Sequence, residues 1–226
     1  MLSPGAKIDD RYEIIDALGS GGMGAVYRAR RIRLGDEVAI KVMHATPDAA
    51  PETRDRFLRE SRACAQLRHP NIVGLLDFGF DGTNQPYMVM ELLSGPSLRE
   101  EIDLDAPMSP ARVVATLENV ASALQLAHDR GITHRDLKPA NIVAHRYESG
   151  ERVYKVIDFG IAAMKATKDE TRLTDPAFFL GTLAYAALTQ TPAHTVAGAI
   201  SVEIRGGRDG SESWTGANRL SASCSN

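Results

Sequence analysis

The chain has 226 residues, 43% of them hydrophobic, and a formal net charge of −3, which allows a sizeable core and argues against nucleic acid or an anionic membrane as a partner on bulk electrostatics. Its two cysteines, Cys64 and Cys224, are too few and too far apart for a disulfide framework or a metal site, so a reducing, cytoplasmic setting is expected. Residues 1–10 contain no basic segment followed by an apolar run, and no stretch reaches the apolar length of a membrane helix, so a soluble, unprocessed chain is expected.

Short β-like runs alternate with turn signals through the first part of the chain, beginning with residues 12–18, 25–29 and 37–43, and predict an antiparallel meander. A helix interrupts it, starting near Pro51 and ending before His69 and Pro70, with Phe57, Glu60, Cys64 and Leu67 on one face by their three and four spacing. Glu60 stands out there, because a carboxylate on an inward face is costly unless paired. Ser109 and Pro110 then make a helix start, and Val113, Leu117, Val120, Leu124 and Ala127 recur at helical period, predicting a largely buried helix. After Gly131 come two short strands, 142–144 and 153–157, joined by a turn at Ser149 and Gly150. From 186 to 226 Ala, Ser, Thr and Gly dominate, with Trp214 the only aromatic, and this tail is expected to be poorly ordered.

Gly19, Gly21 and Gly24 form a G-x-G-x-x-G between two strands, a loop whose bare backbone lets N–H groups approach phosphate oxygens. A dinucleotide fingerprint has the same spacing, but it requires a helix next. Here Val38-Ala39-Ile40-Lys41 follows on a strand. Further on stand His134-Arg135-Asp136-Leu137-Lys138-Pro139-Ala140-Asn141 and then Asp158-Phe159-Gly160. Phosphoryl transfer needs an acceptor for a hydroxyl proton, metal ligands that bridge phosphates and a nearby cation. Asp136, the pair Asn141 and Asp158, and Lys138 are the residue types for those three tasks.

With these motifs, residues 12–185 resemble a eukaryotic-type serine/threonine protein kinase. The run from Gly19 to Tyr27 and Arg68-His69-Pro70-Asn71-Ile72-Val73 are most similar to the bacterial members, and Lys138 is the serine/threonine form. Small-molecule phosphotransferases share the Asp and Asn separation but usually lack the Arg-Asp-Leu-Lys-Pro context. The resemblance implies an α+β, bilobal fold with a complete small lobe, a five-stranded antiparallel sheet plus one helix, over 12–93. A partial large lobe would follow over 94–185, with 186–226 a divergent tail. It implies ATP and Mg²⁺ as cofactors: Leu18, Gly19, Ser20, Gly21, Gly22, Met23, Gly24, Ala25, Val26, Ala39, Lys41, Met90, Glu91 and Leu93 around the nucleotide, Asn141 and Asp158 on the metal. Met90 is then the gatekeeper, and backbone groups of Glu91 and Leu93 in the hinge read the adenine edge. Asp136, Lys138, Lys41 and Glu60 are the catalytic set, with Lys41 pairing Glu60. Phe159, His134, Cys64 and Leu75 fall where the family stacks its regulatory spine.

The same resemblance makes Thr167, Thr171 and Thr174 candidate phosphoacceptors in an activation loop, with Arg135 as a phosphate partner, and places Thr182 beside Asp136 and Lys138. It then departs: Leu183 stands where a Pro is usual, and Ala187-Leu188-Thr189 replaces the usual Ala/Ser-Pro-Glu. The later helices of the large lobe are not recognisable, as expected of a truncated or frameshifted member. The expected function is transfer of the ATP γ-phosphate to Ser or Thr hydroxyls of a protein. The alternative is a catalytically silent nucleotide-binding module.

Overall fold

The computed structural model describes residues 1–22, 24–44, 51–105 and 107–159. Strands β1 (Lys7–Ile8), β2 (Tyr12–Gly21), β3 (Gly24–Arg31) and β4 (Glu37–Met43) precede helix α1 (Pro51–Ala65), after which come β5 (Leu75–Phe80) and β6 (Pro86–Glu91). Helices α2 (Leu98–Leu104) and α3 (Pro110–Asp129) follow, then a 3₁₀ turn at Pro139–Asn141 and the hairpin β7 (Ile142–Arg146) and β8 (Arg152–Val156).

The first sheet has six strands, not the expected five, in the order β1-β2-β3-β4-β6-β5. The extra strand arises because Asp9 and Asp10 adopt positive φ, 52° and 51°, which turns Lys7–Ile8 back onto β2; Asp tolerates this region better than most residues. A simple meander also fails after β4, since β6 and not β5 lies against it. Burial explains the choice. Residues 87–90 of β6 are all buried, whereas β5 carries the exposed Leu76, so the more apolar strand takes the interior position and the other becomes the edge.

Both faces of this sheet are covered, which is why β4 reads as an almost unbroken apolar run. On one face Val38, Ile40 and Val42 pack with Tyr27, Tyr87 and Val89 under the N-terminal residues Leu2 and Ala6. On the other, Ala39, Met43, Met88 and Met90 meet Phe57 of α1 and Leu75 of β5.

A separate core joins α3 to the hairpin, with Val120, Leu124, Ile142, Val156 and Phe159 among its members. Helix α3 starts as expected: the Ser109 side chain accepts from Arg112 N, and Pro110 occupies the first turn. Val120 and Leu124 are buried, while Val113 and Leu117 are only half-buried. Helix α2 was not anticipated, although its signal is present. Ser97 and Glu100 form a capping box, each side chain holding the other's backbone N–H. Among the described residues no helix is long and apolar enough to cross a membrane.

Residues 94–97 are stitched to β7 by Ala144 N donating to Pro96 O at 2.9 Å and Arg146 N donating to Ser94 O at 3.1 Å. Gly95 makes this approach possible: its φ is +133°, and a Cβ there would lie 2.0 Å from Ala144 O. Gly95→Ala is therefore expected to destabilise the chain by more than about 1 kcal/mol in urea unfolding. Gly19→Ala, whose Cβ would meet nothing within 4 Å, should have little effect, and equal losses at the two positions would refute this reading of Gly95.

Candidate active site

Strand register builds one wall of the site. Val26 lies opposite Lys41, Ala39 opposite Met90 and Lys41 opposite Met88. Cross-strand partners share a face, and residues two apart in a strand do too. Val26, Ala39, Lys41, Met88 and Met90 therefore line the same side of the sheet, the side covered by α1. Leu18 is exposed at the edge of this wall, 53% accessible, where a register shift between Ala17 and Gly19 breaks the β2–β3 ladder.

Beyond Leu18 the glycine loop continues through Ser20, Gly21 and Gly22 to Gly24 and Ala25; Met23 lies outside the described residues. The glycines are not alike. Gly24 is required by the fold, since φ is +142° and a Cβ would meet Val42 O at 2.1 Å. A Cβ on Gly19, Gly21 or Gly22 would meet nothing within 4 Å, so packing within the chain does not demand glycine there.

The opposite wall comes from the segment between α3 and β7. His134 is fully buried, and burial, outweighing a hydrogen bond to Ile157, holds its pKa below the ordinary value. The neutral ring accepts from Asp136 N at Nδ1, 3.3 Å, which leaves Nε2 to donate to Ile157 O at 2.8 Å. This ring therefore braces both the segment around Asp136 and the approach to Asp158. Arg135 has φ +65°, a strained conformation for such a residue. Asp136 Oδ2 accepts from Lys138 Nζ at 2.8 Å and from Asn141 Nδ2 at 3.3 Å, and Asn141 Nδ2 also donates to Asp136 O at 2.8 Å. Ile157 N donates to Asn141 O at 3.0 Å, bringing the residue before Asp158 against Asn141. Asp158 itself has φ +65°.

The structure brings Lys41 to Asp158, not to Glu60. Lys41 Nζ lies 2.8 Å from Asp158 Oδ2, and Glu60 Oε2 is buried without a hydrogen-bond partner among the described residues. The expected Lys41–Glu60 pair is thus corrected. The reason is electrostatic: the Lys41 ammonium is neutralised by the carboxylate on β8's outgoing chain. Glu60 is left with the more distant charges of Arg56, Arg135 and Arg59, and burial outweighs them and raises its pKa.

The remaining expected residues behave as a packed column. The rings of His134 and Phe159 are 4.7 Å apart, and Cys64 Sγ lies 3.5 Å from Phe159 O. Burial, then the Glu60 carboxylate, pushes the Cys64 thiol up to about 11, so it is a core residue and not a nucleophile. Cys64, Leu75, Met88, Met90, Asp158 and Phe159 surround a cavity of about 20 Å³. Glu91 ends β6, and its N–H already donates to Gly74 O at 3.0 Å. Gly160, Thr167, Thr171, Thr174, Thr182 and the tail from 186 lie outside the described residues.

Among the described residues, two buried charged side chains escaped the sequence reading. Lys155 is 4% exposed and Glu101 7%. Glu101 is held by Arg112, Arg152 and Tyr154 Oη. The one signal for Lys155 is a lysine inside an otherwise apolar strand, Val153-Tyr154-Lys155-Val156.

Comparison with known proteins places these features in context. Residues 12–191 match the family model described as protein kinase domain. The serine/threonine-protein kinase PknB of Mycobacterium leprae is 41% identical over 192 residues, covering 84% of this chain and 30% of that protein. The serine/threonine-protein kinase pkn2 of Myxococcus xanthus is 38% identical over 186 residues, covering 82% of this chain and 22% of that protein. The crystal structure of the Mycobacterium tuberculosis PknI kinase domain superposes with a TM-score of 0.62 at 32% identity, over 71% of this chain and 64% of that one. The chain thus spans 30% or less of the length of these two curated relatives.

The raised pKa of Glu60 gives a signed expectation. Protonated Glu60 favours the fold at acid pH, and that contribution is lost as pH rises through the raised value. Glu60→Gln, which cannot ionise, should therefore raise the thermal midpoint of the nucleotide-free protein at neutral pH, by about 2 to 4 °C per kcal/mol recovered. The gain should vanish below about pH 4. Circular dichroism melts across pH provide the check, and an unchanged or lower midpoint at neutral pH would mean that ionised Glu60 is paired.

Proposed function

The chain belongs to the protein kinase family, and from that premise we propose that it forms the nucleotide-binding and transferring part of a serine/threonine kinase, moving the ATP γ-phosphate to a protein Ser or Thr hydroxyl. Its fold is the bilobal kinase fold, to which the described residues contribute the antiparallel sheet with α1 and the first helices of the second lobe. The proposed lobes run over 12–93 and 94–185. The observation that carries the reading is the hydrogen-bonded set of Asp136, Lys138 and Asn141, with Ile157, the residue before Asp158, bonded through its N–H to Asn141 O.

The residues fit a nucleotide with magnesium. Among the described residues no three His, Cys, Asp or Glu side chains form a metal cage. Mg²⁺ suits such a site, because it commonly takes only one or two protein carboxylates and completes its shell with phosphate oxygens and water. Asn141 and Asp158 would hold it, and Lys41 would turn from Asp158 to the phosphates. The bound ion would supply charge neutralisation between the phosphates. Gly19, Ser20, Gly21 and Gly22 would offer the phosphates a backbone free of large side chains. Val26, Ala39 and Leu18 would enclose the adenine beside Met90. Its edge would meet the Glu91 carbonyl, since the Glu91 N–H is committed to Gly74, and backbone groups of Leu93.

Both hydrogen bonds from Lys138 and Asn141 fall on Asp136 Oδ2, so Oδ1 is the oxygen assigned to take the hydroxyl proton. Lys138 would neutralise charge between Asp136 and the migrating phosphoryl group. A second reading, nucleotide binding without transfer, is favoured by Glu60 Oε2 lacking a partner among the described residues while Lys41 sits on Asp158.

Calorimetric titration of the full chain is expected to show MgATP binding that Lys41→Met and Asp158→Ala weaken by about tenfold or more. Asp136→Asn should bind MgATP like the wild type yet lower radiolabel transfer to a basic protein by about 10² to 10⁴. Binding with no transfer by the wild type would select the silent-module reading, and absence of binding by a folded sample would sink both.

A further inference from the structure

Two lysines are buried among the described residues, Lys41 at 5% and Lys155 at 4% exposure. An ammonium in such a place needs a carboxylate. For Lys41 it is Asp158. For Lys155 it is Glu91, whose Oε1 lies 2.9 Å from Lys155 Nζ. The same oxygen accepts from Gly74 N at 2.7 Å, while Glu91 N donates back to Gly74 O at 3.0 Å. The Tyr147 ring centroid lies 5.7 Å from Lys155 Nζ.

The positions of the partners give this pair its meaning. Glu91 ends β6 and opens the segment that joins the two lobes, Gly74 belongs to the turn before β5, and Lys155 is on β8, whose chain leads directly to Asp158. The backbone of β8 is tied to the same turn: Val156 N donates to Asn71 O at 2.8 Å and Val73 N donates to Val156 O at 3.0 Å. Lys155 thus joins the strand leading to the proposed metal ligand to the residue proposed to face the adenine.

We propose that the Glu91–Lys155 ion pair is a positioning pair, which holds the adenine-facing hinge and the strand leading to Asp158 in one register so that base and metal can be engaged together. This rests on the nucleotide reading above. Neither side chain touches the nucleotide. The pair acts through Gly74 and the Glu91 backbone on one side and through β8 on the other. Its loss should therefore uncouple the two halves of the site, so that the expected tightening of nucleotide binding by Mg²⁺ falls below its wild-type value.

The test titrates ADP with and without Mg²⁺ into the wild type, Lys155→Met and the double variant Glu91→Gln/Lys155→Met. The double variant matters because it leaves neither a buried ammonium nor a stranded carboxylate and so keeps the fold. The factor by which Mg²⁺ tightens ADP should fall by at least about threefold in the double variant, a larger loss than that of the metal-free ADP affinity. An unchanged Mg²⁺ factor in a double variant that melts like the wild type would overturn the proposal. So would an equal loss of affinity with and without Mg²⁺, which marks a role in folding alone. Wild-type protein that binds no ADP would remove the nucleotide reading and this inference together, a result distinct from either.

Discussion

A lysine inside an apolar strand must meet a negative charge, and much of this structure follows from how Lys41 does so. Its strand is covered on both faces, one by the N-terminal residues and the other by α1, so water cannot solvate the ammonium. Its carboxylate comes from the other lobe, as Asp158 at 2.8 Å. A contact of this kind constrains the lobes relative to one another, because separating them would leave a buried cation unpaired. Lys155 repeats the constraint in reverse, a cation on the hairpin meeting a carboxylate at the end of the sheet's β6 strand. Among the described residues, these two ion pairs thus tie the first sheet to the segment around β8.

Glu60 shows what happens to a carboxyl group that such pairing omits. With Asp158 already on Lys41, its Oε2 is buried and without a partner among the described residues, and burial raises its pKa above the ordinary value. Nucleotide phosphates would compete for Lys41 and metal for Asp158, so loading the site would change the charges near Glu60, whose ionised form burial now disfavours. The carboxyl group and the lysine are in this sense linked through a third residue.

Most of the site was legible in the sequence because its parts are local. The Gly19 to Gly24 loop, the strand carrying Lys41 and the run from His134 to Asn141 each state their geometry within a few residues, and the resemblance ordered them. The long helix was legible for the same reason, from Ser109, Pro110 and a regular apolar period. What escaped depends on distant partners. Which carboxylate Lys41 meets depends on where the chain beyond β8 delivers Asp158, and no periodicity reports that. Lys155 looked like one lysine in a short strand, and its partner Glu91 is far away in the chain. The sixth strand was missed because two residues are too few for a β pattern, and its cause is the pair of left-handed aspartates at 9 and 10. Helix α2 was the avoidable omission, since Ser97 and Glu100 spell out its cap.

Lys41, Asn141 and Asp158 are proposed to form one nucleotide and metal site, in which the Lys41–Asp158 contact gives way on loading. A crystal structure of the chain with Mg²⁺ and a non-hydrolysable ATP analogue tests this most directly. The expected result is metal on Asn141 and Asp158, phosphates under the glycine loop and Lys41 Nζ moved from Asp158 to a phosphate oxygen. A nucleotide bound away from this cleft, or Lys41 still on Asp158 with the phosphates elsewhere, would contradict it.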